Sequence, residues 1–436
     1  MIGIESLDHE GRGVAHVEGK ALFVEGALPG EIVDYSVFKK KPKVEFANVS
    51  KMFRESPFRV DPKCANFGVC GGCSMQHLDA SAQVAVKQRV LEDALWHIGR
   101  VKPECILPAI HGPYWEYRHR ARFSVKYVEK KGKVLVGFNE KKTRYVTDMD
   151  GCEVLPRRIS MLIPHLKEMI TSLSIRARLP QIEVASGEEA DIMVFRILDP
   201  LTGNDEESIR AFSEEHRVNV FLQPKGIDSI RPFHPTEPGI LHYSLPEYGI
   251  DMPFRPSDFT QVNFSINRVL VKRAITLLSP SKNDRIADLF CGIGNFTLAL
   301  AKHCGEVVGV EGSLQLVERA RENAERNGIT NAKFIEADLF ETKASRLDEL
   351  GQFDKMLIDP PRAGAHALVE SLGGHSPSRI VYVSCDPATL ARDAGILVHS
   401  KGYRLKSAGV INMFPHTSHV ESIALFELPQ GTKPRA

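Results

Sequence analysis

The chain has 436 residues, enough for two or three domains with their own cores, and its formal net charge of +1 means that an anionic partner must be met by local patches. No apolar run approaches membrane-spanning length, and the opening MIGIESLDHEGRG has neither a basic n-region nor an apolar h-region, so a cytoplasmic protein is expected. In a reducing compartment its eight cysteines do not form a disulfide framework; metal binding or catalysis is the expectation for clustered ones.

Residues 1–54 read as short strands broken by turns: GIESLD, GVAHVEGKALFVEG, EIVDYSVFKK, VEFANVSKMF. Apolar residues alternate, glycine is frequent and no helical period appears, which fits a small β-barrel of the OB type. Lys39, Lys40, Lys41 and Lys43 form a basic turn. Four lysines alone are usually a solvated loop, but on such a barrel a basic turn often meets nucleic-acid backbone.

Next comes CANFGVCGGCSMQH, in which Cys64, Cys70 and Cys73 have the form C-x5-C-x2-C, with a fourth cysteine, Cys152, alone in DMDGCEVLP. Gly68, Gly71 and Gly72 let the backbone wrap tightly enough to aim amide N–H groups at sulfur. Four thiolates could hold structural zinc or a [4Fe–4S] cluster, and spacing does not separate the two. Zinc usually takes paired C-x2-C knuckles, so a triad with one remote cysteine leans towards the cluster. Cys105 and Cys304 lie outside any group and read as packing residues.

SAQVAVKQRVLEDALWHIGR, residues 81–100, has apolar residues three and four apart and reads as an amphipathic helix. The most basic part of the chain follows: between Tyr114 and Tyr145 ten Lys/Arg stand against three Glu, with aromatic residues interleaved. In YRHRARFSVKY, strand alternation puts Arg118, Arg120, Arg122 and Lys126 on one face and Ala121, Phe123 and Val125 on the other. A one-sided arginine row beside aromatics is the footprint expected for a phosphate backbone and splayed bases, so RNA binding is expected here. Residues 159 to about 253 mix helical and strand patterns without readable chemistry.

Over the last 180 residues, RIADLF, EVVGVE, AKFIEA, DKMLID and RIVYVS alternate with helices, the rhythm of a doubly wound parallel sheet. Such sheets bind ligands beyond the carboxyl ends of their strands. That is where polar residues collect: Asp288, Glu311, Asp338, Asp359 and Cys385. Gly292 and Gly294 let backbone approach a ligand, yet Thr297 replaces the third glycine of a dinucleotide fingerprint and no basic side chain lines the turn. Glu311, 19 residues beyond Gly292, is placed to accept both hydroxyls of a ribose. Several acids without a phosphate clamp suit a cationic nucleoside, and S-adenosylmethionine is one.

In VYVSCDPATLARD, a strand ends at Cys385, Asp386 can cap a helix and Pro387 suits its first turn. Cys385 therefore stands at a strand end beside the positive end of a helix dipole, where a lowered thiol pKa is expected. A packing cysteine is the ordinary alternative.

LFCGIGNFTLALA, LIDPPRAG, IVYVSCDPATLARD and MFPHTSHVESIALF resemble the motifs of the RNA uracil-C5 methyltransferases. CANFGVCGGC and an N-terminal barrel similar to a TRAM domain narrow the resemblance to the iron–sulfur branch that methylates a uridine of 23S ribosomal RNA. It implies a TRAM-like barrel over 1–54, a central α+β domain with a [4Fe–4S] cluster and an RNA-binding surface over 55–255, and a Rossmann-like class I methyltransferase domain over 256–436. By the same resemblance Cys385 is the nucleophile and Glu421 the base that removes the C5 proton. Gln261, Phe290, Asn295, Glu311, Asp338 and Asp359 match the S-adenosylmethionine site, and Cys64, Cys70, Cys73 and Cys152 match the cluster ligands. A cytoplasmic monomer acting on 23S ribosomal RNA is expected, away from any membrane. Two departures are small: DPPRAG stands where DPARAG is usual, and Asp386 where Asn is common.

The chemistry calls for these residue types independently. C5 of uracil is too weak a nucleophile to attack a sulfonium methyl until a thiolate adds to C6. The methylated ring still carries the C5 proton, so a base must remove it before the thiol leaves. A base inside folded RNA must also be extruded to reach the thiol. The same chemistry on transfer RNA, a non-catalytic RNA-binding iron–sulfur protein and a redox enzyme are the competing readings.

Overall fold

The computed structural model describes residues 1–340, 350–373 and 376–429. Three large sheets organise it, beside a two-stranded ribbon of Leu241–Leu245 and Ile250–Phe254. The first is six-stranded and mixed, in the order Ile2–Gly3, Ile32–Lys40, Val44–Arg54, Lys20–Glu25, Gly13–Val17, Ser6–Leu7. Its alternating small and branched residues supply one core from Ile4, Ala15, Leu22, Val24, Ala27, Val33 and Ala47. Glu31, fully buried, is satisfied by the Leu28 N–H at 2.7 Å and by the Arg59 Nε at 2.6 Å. Burial alone would push that carboxyl up; these donors hold it below the ordinary glutamate range.

The second sheet has the order Arg231–His234, Asn219–Gln223, Asp191–Arg196, Gln181–Ser186, Arg120–Val128, Lys133–Gly137. Helices Leu162–Ser172 and Gly203–His216 press Ile163, Leu166, Ile170, Ile209 and Phe212 onto Phe123, Val136, Met193 and Phe195. In strand Arg120–Val128 the alternation is as read: Ala121, Phe123 and Val125 are buried, and Arg122 and Lys126 exposed. Arg118 and Arg120, in contrast, turn towards the protein. Arg120 Nη2 donates to the Pro256 carbonyl at 2.5 Å, and Arg118 lies over the Phe414 ring at 5.9 Å. The aromatic residues expected to stack on bases are largely spent on packing as well. Trp115 stacks on His416 at 3.8 Å, and buried Tyr117 donates its hydroxyl to the Pro415 carbonyl at 2.9 Å. Alternation reveals which face a residue is on but not which surface meets it, so part of the RNA footprint is an internal contact.

The third sheet runs Ala332–Glu336, Glu306–Glu311, Arg285–Leu289, Lys355–Ile358, Arg379–Ser384, Glu421–Glu427, Arg404–Ile411, Cys105–Ile106. Five strands from Ala332–Glu336 to Arg379–Ser384 are parallel, and Glu421–Glu427 is antiparallel to both its neighbours. Strand order reverses between Arg285–Leu289 and Lys355–Ile358, which opens a crevice at the carboxyl ends. Residues 80–110, early in the chain, belong to this layer: Leu91 and Leu95 share its core with Ala287 and Val308, and Cys105–Ile106 adds an edge strand. Cys105, read as a packing residue, is exposed on that edge, whereas Cys304 is buried. No described helix is long and apolar enough to cross a membrane.

Candidate active site

The turn after Arg285–Leu289 is built from unusual backbone. Phe290, Gly292 and Gly294 all have positive φ, at 64°, 54° and 92°. For Phe290 this costs energy, which the surrounding packing must offset. A side chain at 294 would also crowd Leu298, at 3.3 Å. Thr297, in the place of a third glycine, is buried and gives its hydroxyl to Asp288 Oδ2. Burial, opposed by that bond, raises Asp288 to about 7.

Glu311 receives the Gly292 N–H and the Ser313 N–H, each at 3.1 Å, which fixes the carboxylate and leaves lone pairs towards the cavity. Asn295 is held by Tyr243 Oη at 2.9 Å and by a reciprocal pair of bonds to Asn267 at 2.8 and 3.0 Å. Asp338 accepts the Phe340 N–H at 2.8 Å, and the Phe340 ring packs on Phe290 at 5.6 Å.

Cys385 follows strand Arg379–Ser384, and Asp386 caps helix Pro387–His399 by accepting from Ala388 N at 2.9 Å and Thr389 N at 3.1 Å. Strand Glu421–Glu427 pairs so that Ser422 faces Ser384, which brings Glu421 beside Cys385. Asp359 arrives from strand Lys355–Ile358, which flanks Arg379–Ser384 on the opposite side. A cavity of about 520 Å³ joins them: Gln261, Phe290, Asn295, Glu311, Asp338, Asp359, Cys385 and Glu421 all line it. Such a volume admits a nucleoside-sized ligand.

The electrostatics differ from the sequence expectation. Burial, Glu421 and Asp359 push the Cys385 thiol up to about 11, with Arg362 opposing. The helix dipole is outweighed first by burial and then by two carboxyls from distant parts of the chain that reach the same spot. They are themselves pushed up, Asp359 to about 7 by burial, and Glu421 to about 8 by burial and Asp359 against the pull of Lys87. Glu421 Oε2 is buried without a hydrogen-bond partner. A carboxyl titrating near neutrality is matched to proton transfer.

The four cysteines are close enough to act on one another. Cys73, pushed up to about 11 by burial, feels Cys70 and Cys64; Cys152, pushed up to about 12 by burial, feels Cys73 and Cys64. The Gly72 N–H points at Cys70 Sγ at 3.3 Å. Among the described residues no group of three or more His, Cys, Asp or Glu is compact enough to hold a metal ion. The loop beyond them reaches the catalytic side: Ser74 N and Met75 N donate to the His416 carbonyl at 2.9 and 3.0 Å.

A family model described as tRNA (Uracil-5-)-methyltransferase matches residues 80–428. The chain belongs to that family. As an RNA (uracil-C5)-methyltransferase it uses S-adenosylmethionine. A TRAM domain model matches residues 2–49. Relatives named 23S rRNA (uracil(1939)-C(5))-methyltransferase RlmD include one from Nitrosospira multiformis, 58% identical over 97% of each chain. Another, from Burkholderia pseudomallei, is 57% identical over 98% of this chain and 95% of its own. The solved structure of Pyrococcus abyssi tRNA (uracil-54, C5)-methyltransferase with S-adenosyl-L-homocysteine superposes with a TM-score of 0.75, at 27% identity over 98% of this chain and 99% of that one.

Sequence reasoning about this methyltransferase missed several residues of the cavity. Arg362 lies in the quoted LIDPPRAG, and the exposed Phe259 stands two residues before Gln261. Lys87, which acts on Glu421 from behind the cavity lining, left a fainter trace: a polar residue in line with Gln83 and Leu91 on the buried face of helix Ala80–Ala94.

Proposed function

We propose that this methyltransferase modifies C5 of a uridine in 23S ribosomal RNA. The observation that carries the reading is the cavity in which Cys385, Asp359 and Glu421 face the Glu311–Phe290 end. Relatives named for the ribosomal substrate are 57–58% identical, against 27% for the one named for transfer RNA, which favours the ribosomal target.

In this reading Glu311 accepts the donor's ribose hydroxyls, with Gln261, Phe290, Asn295 and Asp338 completing the S-adenosylmethionine site. Cys385 gives its proton to a neighbouring carboxylate, for which Asp359, titrating near neutrality, is suited. Sγ adds to C6 of the uracil, and the electron pair released to C5 takes the methyl from the sulfonium, leaving S-adenosylhomocysteine. Glu421 then removes the C5 proton, the C5–C6 double bond re-forms and the thiolate departs. Arg362, the cation acting on the thiol, favours its charged form.

Cys64, Cys70, Cys73 and Cys152 are the ligands proposed for a [4Fe–4S] cluster. What supports the reading is that Cys73 feels Cys70 and Cys64, that Cys152 feels Cys73 and Cys64, and that a backbone N–H is aimed at one sulfur. Bound there, the cluster supplies no chemistry to methyl transfer and serves structure. An anaerobic preparation is expected to be brown, with broad visible absorption; a colourless one loaded with zinc would overturn the assignment. The substrate is tested with labelled donor and purified, unmodified RNAs. Label confined to one uridine of 23S RNA is expected, and label in transfer RNA alone would overturn the reading.

A further inference from the structure

Lys87 is the most completely buried lysine of the described chain, 1% exposed, and lies outside the motifs matched to the methyltransferase site. Its Nζ donates to Asn412 Oδ1 at 2.7 Å and to the Phe414 carbonyl at 2.8 Å. One turn earlier on the same helix, Gln83 accepts the His416 N–H at 2.8 Å. Both polar residues of the helix's buried face thus grip the segment that leads into Glu421. Asn412 follows Ile411, whose partner across the sheet is Glu421. A buried ammonium costs several kcal/mol unless something negative offsets it. Its two hydrogen-bond partners are neutral, and the negative group acting on it is Glu421.

We propose that Lys87 is a positioning residue for removal of the C5 proton: its ammonium favours the carboxylate form of Glu421, and its hydrogen bonds anchor the segment that leads into the strand Glu421 opens. This rests on the reading of Glu421 as the base. The other groups around Glu421 act differently. Asp359 disfavours its charge, and Cys385 is uncharged until it reacts. Arg362 acts on Cys385 and contacts His419. His416 and His419 are both held below the ordinary histidine range by burial, His416 to about 4, and are neutral near neutral pH. Lys87 is what favours the carboxylate. Burial pulls Lys87 itself down to about 7, so its charge fades as alkalinity makes it unnecessary.

The test separates two steps on RNA carrying tritium at C5 of the target uridine. Covalent enzyme–RNA adduct is followed on denaturing gels, and tritium release reports proton removal. Lys87→Gln, which keeps a donor without the charge, and Lys87→Met are compared with the natural chain across pH. Both are expected to form adduct at the natural rate but to release tritium about tenfold more slowly near neutral pH, the deficit closing as pH rises, because an opposite charge this close lowers a carboxyl pKa by about one unit or more. Binding of S-adenosylhomocysteine by calorimetry confirms the fold. A deficit equal in both steps, or unchanged across pH, would overturn the proposal. Glu421→Gln separates the two claims: it should retain adduct and abolish release. If it releases tritium normally, the base assignment fails whatever Lys87 does; if it does not, and the Lys87 variants keep the natural pH profile, only the Lys87 proposal fails.

Discussion

Two buried carboxyls, one on a helix of the central layer and one on a strand of the third sheet, are treated in opposite ways. Asp205, in the central layer, receives Ser174 N at 2.7 Å, Ser174 Oγ at 2.6 Å, Thr202 N at 2.9 Å and Thr202 Oγ1 at 2.7 Å. Burial works against its charge, but those four donors outweigh it and hold the group down to about 2. Glu421, in the third sheet, has an oxygen with no partner and is pushed up to about 8. Filling every lone pair fixes a carboxyl as a structural anion; leaving them empty stores a proton affinity that a reaction can use. Where a fold leaves acids hungry, in one cavity and beside a thiol, it marks the place of chemistry.

The contrast can be broken most severely at Cys385. Cys385→Ala is expected to lower turnover by at least about 10⁴-fold and to abolish any RNA adduct that survives denaturation, as removal of a covalent nucleophile does elsewhere. Asp359→Asn keeps the shape but not the proton acceptor, and turnover should fall by roughly 10²-fold. In the natural enzyme the charged forms of Asp359 and Glu421 build up as pH rises through about 7 and about 8, so single-turnover rates should climb over that window and fall below it. A rate flat across it would remove both carboxyls from the proton transfers.

Asp205→Ala should do the reverse. It strands the Ser174 and Thr202 donors, so a denaturation midpoint should reveal a loss of about 2–4 kcal/mol while kcat/KM of the folded fraction stays unchanged. In the natural chain the folded pKa of Asp205 lies below the unfolded value, so its contribution, about 2 kcal/mol, is present above the unfolded value of 3.8 and is lost as pH falls towards about 2. The smallest effect is expected at the cavity mouth. Phe259 is 70% exposed there, and Phe259→Ala should cost about tenfold in kcat/KM on RNA, the worth of a single stacking contact, with donor affinity intact.

Much of this was legible in the chain. The parallel strands and the acids at their ends were readable because buried strands are short apolar runs and their carboxyl ends are where such sheets bind. Asp386 and Pro387 gave away the turn that presents Cys385, since capping is local. What failed were properties made by distant neighbours. The Cys385 thiol is raised rather than lowered because the fold buries it and brings residues 421 and 359 onto it. Arg120 was read as facing RNA because an exposed face and an internal seam have the same alternation. The left-handed backbone of Phe290 has no sequence signal, as it is imposed by packing. Lys87 was hidden because a lysine on an amphipathic helix is ordinarily at its wet margin.

The antiparallel placement of strand Glu421–Glu427 against Arg379–Ser384 has a further consequence. Thiol and carboxyl occupy facing ends of a ladder whose rungs are backbone hydrogen bonds, so their separation is set by strand pairing rather than by loop conformation. A single residue added between 421 and 424 should therefore be disabling, because it would slide the carboxyl one rung along and rotate it to the opposite side of the sheet.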